Sequence, residues 1–201
     1  MSCDECQVID GVGIIPVGEI RIPSSEFMCC DELVSVEIPD GISVIGASAF
    51  EGCLNLRSVQ ISDSVFWIEE SAFSMCESLT RLDIPSGVYY IGWYAFYDCI
   101  NLESIKIPEG VAVIGERTFC GCQKLKSILI PESVREIGND AFSGCDSLRE
   151  VTFKGCNTIV EVSAFEYCDA LEKIIVPYGS KPFYKDWLSD ELHPKIIELM
   201  V

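Results

Sequence analysis

The chain has 201 residues, 49% of them hydrophobic, which is ample for one continuous core, and 32 acidic against 14 basic side chains leave a formal net charge of -18. That sign repels phosphate backbones and anionic lipid headgroups, so it argues against nucleic acid or a membrane surface as partner. No stretch approaches the roughly 20 apolar residues that a membrane helix needs.

The start, Met1-Ser2-Cys3-Asp4-Glu5-Cys6, is acidic where a secretory leader would be basic, and no apolar core of adequate length follows it. The expectation is a cytoplasmic chain, or a cell-surface one if a leader has been removed. Cys3 and Cys6 have the spacing of half a zinc site, but a second Cys-x-x-Cys is missing, so neither a metal nor any other cofactor is expected. Ile14-Ile15-Pro16 and Ile20-Arg21-Ile22 then read as a worn half repeat that can cap one end of an array.

From there the chain repeats itself. A phenylalanine recurs every 23 residues, at Phe27, Phe50, Phe73, Phe96, Phe119, Phe142 and Phe165. A cysteine travels with it (Cys30, Cys53, Cys76, Cys99, Cys122, Cys145, Cys168), and so does a leucine (Leu33, Leu56, Leu79, Leu102, Leu125, Leu148, Leu171). A unit this short cannot bury its own apolar face and must stack on its neighbours, so the period predicts a solenoid.

Within one unit two rhythms alternate. Ala72, Phe73, Cys76 and Leu79 have the spacing of a helix face and predict a short helical or 3₁₀ turn. Leu82 and Ile84 alternate with Arg81 and Asp83, a short strand, and Pro85 ends it, as Pro39, Pro108, Pro131 and Pro177 do elsewhere. A second apolar pair follows, such as Val88 with Ile91, on the opposite side of the coil. Gly46, Gly92, Gly115 and Gly138 close that segment, but Glu69 and Glu161 occupy the same place, so crowding rather than a left-handed backbone explains the glycines. In the last connection Asn157 stands where other repeats keep Val or Ile, which predicts a distorted turn.

Stacking brings equivalent cysteines to about 4.8 Å with parallel Cα to Cβ vectors, whereas a disulfide needs Cβ atoms about 3.8 Å apart and a near-perpendicular twist. The ladder is therefore expected to be reduced, its thiols acting as small apolar groups. After Pro177 the period stops. Phe183, Tyr184, Trp187 and Leu188 have helical spacing and Ile196, Ile197 and Leu199 fit a final strand, together a lid on the last repeat.

The run Ile91-Gly92-Trp93-Tyr94-Ala95-Phe96-Tyr97-Asp98-Cys99-Ile100-Asn101-Leu102-Glu103-Ser104-Ile105-Lys106-Ile107-Pro108 resembles the BspA-like class of leucine-rich repeats. The resemblance covers about residues 15–177. It implies an α/β repeat solenoid, a right-handed coil with a parallel β-sheet on one side and short helical or 3₁₀ turns and short second strands on the other. It also implies a non-enzymatic protein-binding or adhesive module of microbial surfaces. One domain spans 1–201, with a cap and half repeat at 1–26, repeats at 27–177 and a second cap at 178–201.

Two faces are candidates for binding. The pair between each second apolar pair should point outward, and it reads Phe66-Trp67 and Tyr89-Tyr90 where other repeats have Ser43-Val44, Ala112-Val113 or Arg135-Glu136. With Trp93, Tyr94 and Tyr97 these gather seven aromatics on two adjacent repeats. An exposed aromatic cluster in an acidic surface marks an interface, either for a protein partner or for self-association, and stacked tyrosines and tryptophans also suit sugars. The sheet face, with Ser58, Gln60, Arg81, Asp83, Ser104 and Lys106, reads as solvated. Catalysis is hard to build: the one histidine, His193, sits beside Pro194 in the cap, and the buried cysteines have no basic neighbour. The expected function is a non-enzymatic protein-binding scaffold, with a surface adhesin or a carbohydrate-binding protein as the alternative.

Overall fold

A computed structural model describes residues 7–16 and 18–199. The chain winds as a solenoid in which every repeat contributes three segments to three columns, and equivalent residues in each column sit 23 positions apart.

The first column is a parallel arrangement of strands in three hydrogen-bonded groups, divided between Ser58–Ile61 and Arg81–Leu82 and between Ser104–Ile105 and Ser127–Ile130. Its strands include Ser35–Ile38, Ser58–Ile61, Arg81–Leu82, Ser104–Ile105, Ser127–Ile130, Glu150–Phe153 and Lys173–Pro177. Register follows the repeat, so Val36 pairs with Val59 and Val151 with Ile174. The residues read as inward are buried, among them Val36, Leu82, Ile105, Ile128 and Val151. The second column is a set of two-residue strands on the opposite side: Arg21–Ile22, Val44–Ile45, Trp67–Ile68 and Tyr90–Ile91 form one group, and Val113–Ile114, Glu136–Ile137 and Ile159–Val160 another.

The third column holds the phenylalanines and departs from the expected helical turn. It is built from successive i to i+3 turns: the Ala49 N–H donates to Gly46, Glu51 to Ser48 and Cys53 to Phe50, at 3.1 to 3.2 Å. Two of these have positive φ at their third residue, Ser48 at 56° and Gly52 at 69°, as a type II turn requires. The N–H groups in between point forward to the next repeat. Ser48 donates to Glu70, Phe50 to Ala72 and Gly52 to Ser74, each at 2.8 to 2.9 Å, and the pattern recurs along the stack. A regular helix would turn those donors inward, so inter-repeat pairing overrides the helical pattern. The last repeat has no successor, and there alone among the described residues of this column the turn closes into a 3₁₀ helix, Val162–Phe165.

Inside, the seven phenylalanine rings form one continuous stack. Neighbouring centroids lie 5.1 Å (Phe50 to Phe73) to 5.6 Å (Phe73 to Phe96) apart, with planes within 12° of parallel. The cysteines do more than fill space. Cys53 Sγ donates to the Phe27 carbonyl at 2.9 Å, and Cys76, Cys99, Cys122, Cys145 and Cys168 repeat the bond to the phenylalanine 26 residues earlier. Burial pushes the Cys99 thiol up to about 12 and those of Cys76 and Cys122 well above the usual thiol value.

The glycines after the second strands have ordinary φ. A Cβ on Gly46 would lie 2.5 Å from the Ile22 carbonyl oxygen, and one on Gly92 2.5 Å from the Glu70 nitrogen, so close backbone approach requires them. Where Glu69 replaces glycine, its carboxylate accepts from the Ala47 N–H at 2.9 Å and from Arg21 at 3.0 Å.

Both ends are covered. Before the array, Val8–Ile9 and Val12–Gly13 form an antiparallel hairpin around Asp10 and Gly11, both at positive φ, and its second strand pairs with Ser35–Ile38. The hairpin adds to the expected half repeat, of which Arg21–Ile22 starts the second sheet. At the far end, the helix Lys181–Trp187 is followed by a 3₁₀ helix, Asp190–Lys195, and the strand Ile196–Leu199, which pairs with Lys173–Pro177 and shields that sheet edge. The turn at Asn157 is altered: Asn157 is exposed, and the closing bond that joins Val134 to Pro131 in the repeat before has no counterpart. Tyr184 of the cap helix, fully buried, packs on Phe153 at 4.6 Å and donates to the Gly155 carbonyl at 2.7 Å. The cap supplies the apolar volume that Asn157 does not.

Candidate functional site

The second sheet puts side chains outward in two parallel rows, because each repeat exposes the two residues between its buried apolar pair, such as Phe66 and Trp67 between Val65 and Ile68. Register aligns Val44, Trp67 and Tyr90 in one row, with Ser43, Phe66 and Tyr89 beside them. Phe66 and Tyr89 stack with centroids 6.1 Å apart and planes 13° from parallel. Trp67 meets Tyr90 edge-on at 5.5 Å and Tyr89 at 5.8 Å. Four aromatics thus form one contiguous strip, and Phe66, Trp67 and Tyr89 keep 40 to 49% of their surface exposed. Tyr90 is half-buried and donates to Glu70 Oε1 at 2.8 Å. Burial first, and the Glu70 carboxylate second, push its phenol up to about 12.

Trp93 extends the strip and changes the backbone beneath it. A Cβ on Gly115 would meet Trp93 Cδ1 at 2.1 Å, whereas at Gly46, Gly92 and Gly138 the nearest atoms belong to the backbone of the preceding repeat. The indole therefore occupies space that elsewhere belongs to the neighbouring chain. At this rung the second sheet divides: no ladder pairing joins Tyr90–Ile91 to Val113–Ile114. Gly92 donates to Ile68 and Gly138 to Ile114, but Gly115 makes no corresponding bond to Ile91, and Ala112 makes none to Tyr89. The opened rung is a cleft of about 130 Å³ lined by Tyr89, Tyr90, Ile91, Trp93, Ala112, Val113 and Gly115.

Tyr94 and Tyr97 do not join the strip. Tyr94 has φ of 58°, which turns its side chain onto the next column, and its ring meets Tyr97 at 5.8 Å. Its hydroxyl donates to Glu116 at 2.9 Å and accepts from Arg117 at 3.3 Å, while the Arg117 guanidinium lies 5.8 Å over the ring and pairs with Asp140 at 3.0 Å. The neighbouring Asp98 charge raises the Tyr97 phenol above its ordinary value. The seven predicted residues therefore fall into a strip of five and a hydrogen-bonded pair. Tyr94 sits at the left-handed turn position that Ser48, Ser71, Arg117 and Asp140 hold in other repeats, which places it off the strip.

The first sheet carries no comparable aromatic strip. Its outward side chains are mostly polar or charged, the apolar ones being Val12, Leu129, Ile175, Ile197 and Leu199, and the ion pairs on this side, Arg81 with Asp83 and Lys126 with Glu103, are exposed. His193 Nε2 lies 3.0 Å from the Leu188 carbonyl and Nδ1 3.5 Å from Asp190, which binds it into the cap. Cys3 and Cys6 lie outside the described residues. Among the described residues no group of three or more His, Cys, Asp or Glu side chains is placed to hold a metal, and no helix is long and apolar enough to cross a membrane.

The stacked 23-residue coils, the parallel sheet and the leucine and phenylalanine ladders define a leucine-rich-repeat solenoid. The BspA type leucine rich repeat region matches residues 20–116 and 89–190 in six copies, and the chain belongs to that family. Its fold is similar to that of a leucine rich repeat protein from T. pallidum, with a TM-score of 0.74, 27% identity, and coverage of 88% of this chain and 83% of that one. The pneumococcal vaccine antigen PcpA shares the fold at a TM-score of 0.52 and 18% identity, over 90% of this chain and 71% of that one. No curated protein matches the sequence.

Proposed function

We propose that the chain is a non-enzymatic scaffold that binds another macromolecule through the aromatic strip of its second sheet. The observation that carries this reading is the contiguity of Phe66, Trp67, Tyr89, Tyr90 and Trp93 on one face of a strongly acidic chain. Aromatic side chains offer large contact area at low entropic cost and dominate binding hot spots. The rigid stack beneath them holds the strip in place, so little ordering is lost on association. Neither the His193 environment nor the raised thiols offers a nucleophile or general base, which supports the non-enzymatic part. The net charge of -18 disfavours nucleic acid and anionic membranes, leaving a protein or a glycan as the partner class.

The test is affinity capture with three baits: wild type, Trp67→Ala with Tyr90→Ala, and Gln60→Ala with Lys106→Ala on the first sheet, alongside sedimentation velocity of each. The strip reading expects loss of the captured partner, or of self-association, in the first variant alone. Loss in the first-sheet variant, with retention in the strip variant, overturns it.

A further inference from the structure

We propose that the cleft under Trp93 is a site for an N-acetylated amino sugar, an inference that rests on the aromatic face being the binding surface. The open rung leaves two carbonyls, of Tyr89 and Ile91, and two N–H groups, of Ala112 and Gly115, without the inter-repeat bonds that join the other described rungs of the second sheet, where the equivalent residues donate or, at the last rung, Ile159 donates to Arg135. A secondary amide carries one donor and one acceptor, so from the open side of the cleft it can donate to one of these carbonyls or accept from one of these N–H groups. The acetamido group of an amino sugar is a secondary amide carried on a ring, and the walls beside it are Tyr89 and Trp93, 49 and 57% exposed. Those faces stack on the C–H face of a pyranose while the acetamido group enters the rung. The volume of about 130 Å³ is a few water volumes, which suits one ring partly enclosed and falls below a drug-sized pocket.

Two alternatives fit less well. A peptide that adds as a strand needs a sheet edge several residues long, and here a single rung is open between strands on both sides. An acidic sugar meets the carboxylates of Glu70 and Glu116, which Tyr90 and Tyr94 hold beside the cleft.

The probe is tri-N-acetylchitotriose, titrated against the intact chain with cellotriose as the matched sugar lacking the acetamido groups and acetyl-triglycine amide as the peptide control. Binding is read from the amide resonances of Ala112 and Gly115 and from tryptophan fluorescence. The chitotriose is expected to shift both amides and to bind about tenfold more tightly than cellotriose, the worth of a hydrogen-bonded pair. Trp93→Ala and Tyr89→Ala, each checked for fold by circular dichroism, are expected to weaken it about tenfold or more, while Tyr97→Phe leaves it unchanged. Equal affinity for the two sugars, no saturable binding, or retention in both cleft variants overturns the proposal. Shifts caused by the peptide and not by the sugar assign the rung to a peptide and overturn it as well. Because the capture experiment uses Trp67→Ala with Tyr90→Ala, a failed sugar titration beside a successful capture result refutes the sugar and leaves the strip.

Discussion

The phenylalanine column and the Trp93 rung are built from the same 23-residue unit, yet one is uniform and the other is broken. Along the column, ring spacing varies by half an ångström over six contacts, and the six ladder cysteines from Cys53 to Cys168 repeat the same bond to a phenylalanine carbonyl. At the Trp93 rung one outward residue displaces a backbone contact and the second sheet opens. The contrast teaches that the phenylalanine and cysteine ladders are held constant because each residue there stacks on copies of itself, while other interior positions vary only in size, as Val36, Leu82 and Ile105 do. The outward pairs are released from that constraint, and individuality collects there.

The comparison breaks most readily from the inside. Phe96 contacts a ring on either side, at 5.6 and 5.4 Å, and is fully buried. Phe96→Ala is expected to cost about 3–5 kcal/mol in urea denaturation, whereas Phe66→Ala on the strip should cost under 1 kcal/mol. Equal losses at the two sites would remove the distinction between column and strip.

The thiol ladder adds a pH dependence of known sign. A cysteine whose folded pKa lies above its unfolded value binds its proton more tightly when folded. Its stabilisation is therefore complete below the unfolded value of 9.0 and is lost as pH rises toward the folded value, about 12 for Cys99. The thermal midpoint of the wild type should fall as pH rises from about 9, and that of Cys99→Ala should fall less steeply, from a start lowered by about 1–2 kcal/mol for the lost volume and hydrogen bond. Parallel slopes would show that the ladder does not govern the alkaline limit.

The smallest effect comes from the turns. Met75 has φ of 55° at the position that Gly52, Gly121 and Gly144 hold in other repeats. Met75→Gly should stabilise the fold by about 0.5–1 kcal/mol through relief of left-handed strain, and a loss of stability would mean that the exposed side chain contributes packing.

Much of this architecture is legible in the sequence because a fixed period turns one reading into seven. The buried positions, the strand register, the crowding at Gly46 and Gly92, the altered turn at Asn157 and the lid built on Tyr184 all follow from spacing and side-chain size. The forward-pointing hydrogen bonds of the phenylalanine column were hidden, because the apolar spacing of Ala72, Phe73, Cys76 and Leu79 matches a helix and carries no information on where N–H groups point. The hairpin at Val8–Gly13 left a signal, Asp10-Gly11 between apolar residues, that the half-repeat reading passed over. Of the candidate site, the outward direction of Phe66, Trp67, Tyr89 and Tyr90 was legible from alternation. The separation of Tyr94 and the wedge of Trp93 were not: the left-handed turn that carries Tyr94, shared with Ser48, Ser71, Arg117 and Asp140, leaves no mark in the apolar spacing, and the wedge depends on how the Trp93 ring packs over Gly115.

The most direct test of this contrast is amide hydrogen exchange at Gly92, Gly115 and Gly138, three glycines at one repeat position. It is made on the wild type and on a variant carrying Tyr89→Ala, Tyr90→Val and Trp93→Glu, which copies the residues at the same places in the next repeat, Ala112, Val113 and Glu116. The open rung predicts fast exchange at Gly115 and slow exchange at Gly92 and Gly138 in the wild type, with Gly115 becoming slow in the variant. Protection of Gly115 equal to that of its two counterparts in the wild type would contradict the account.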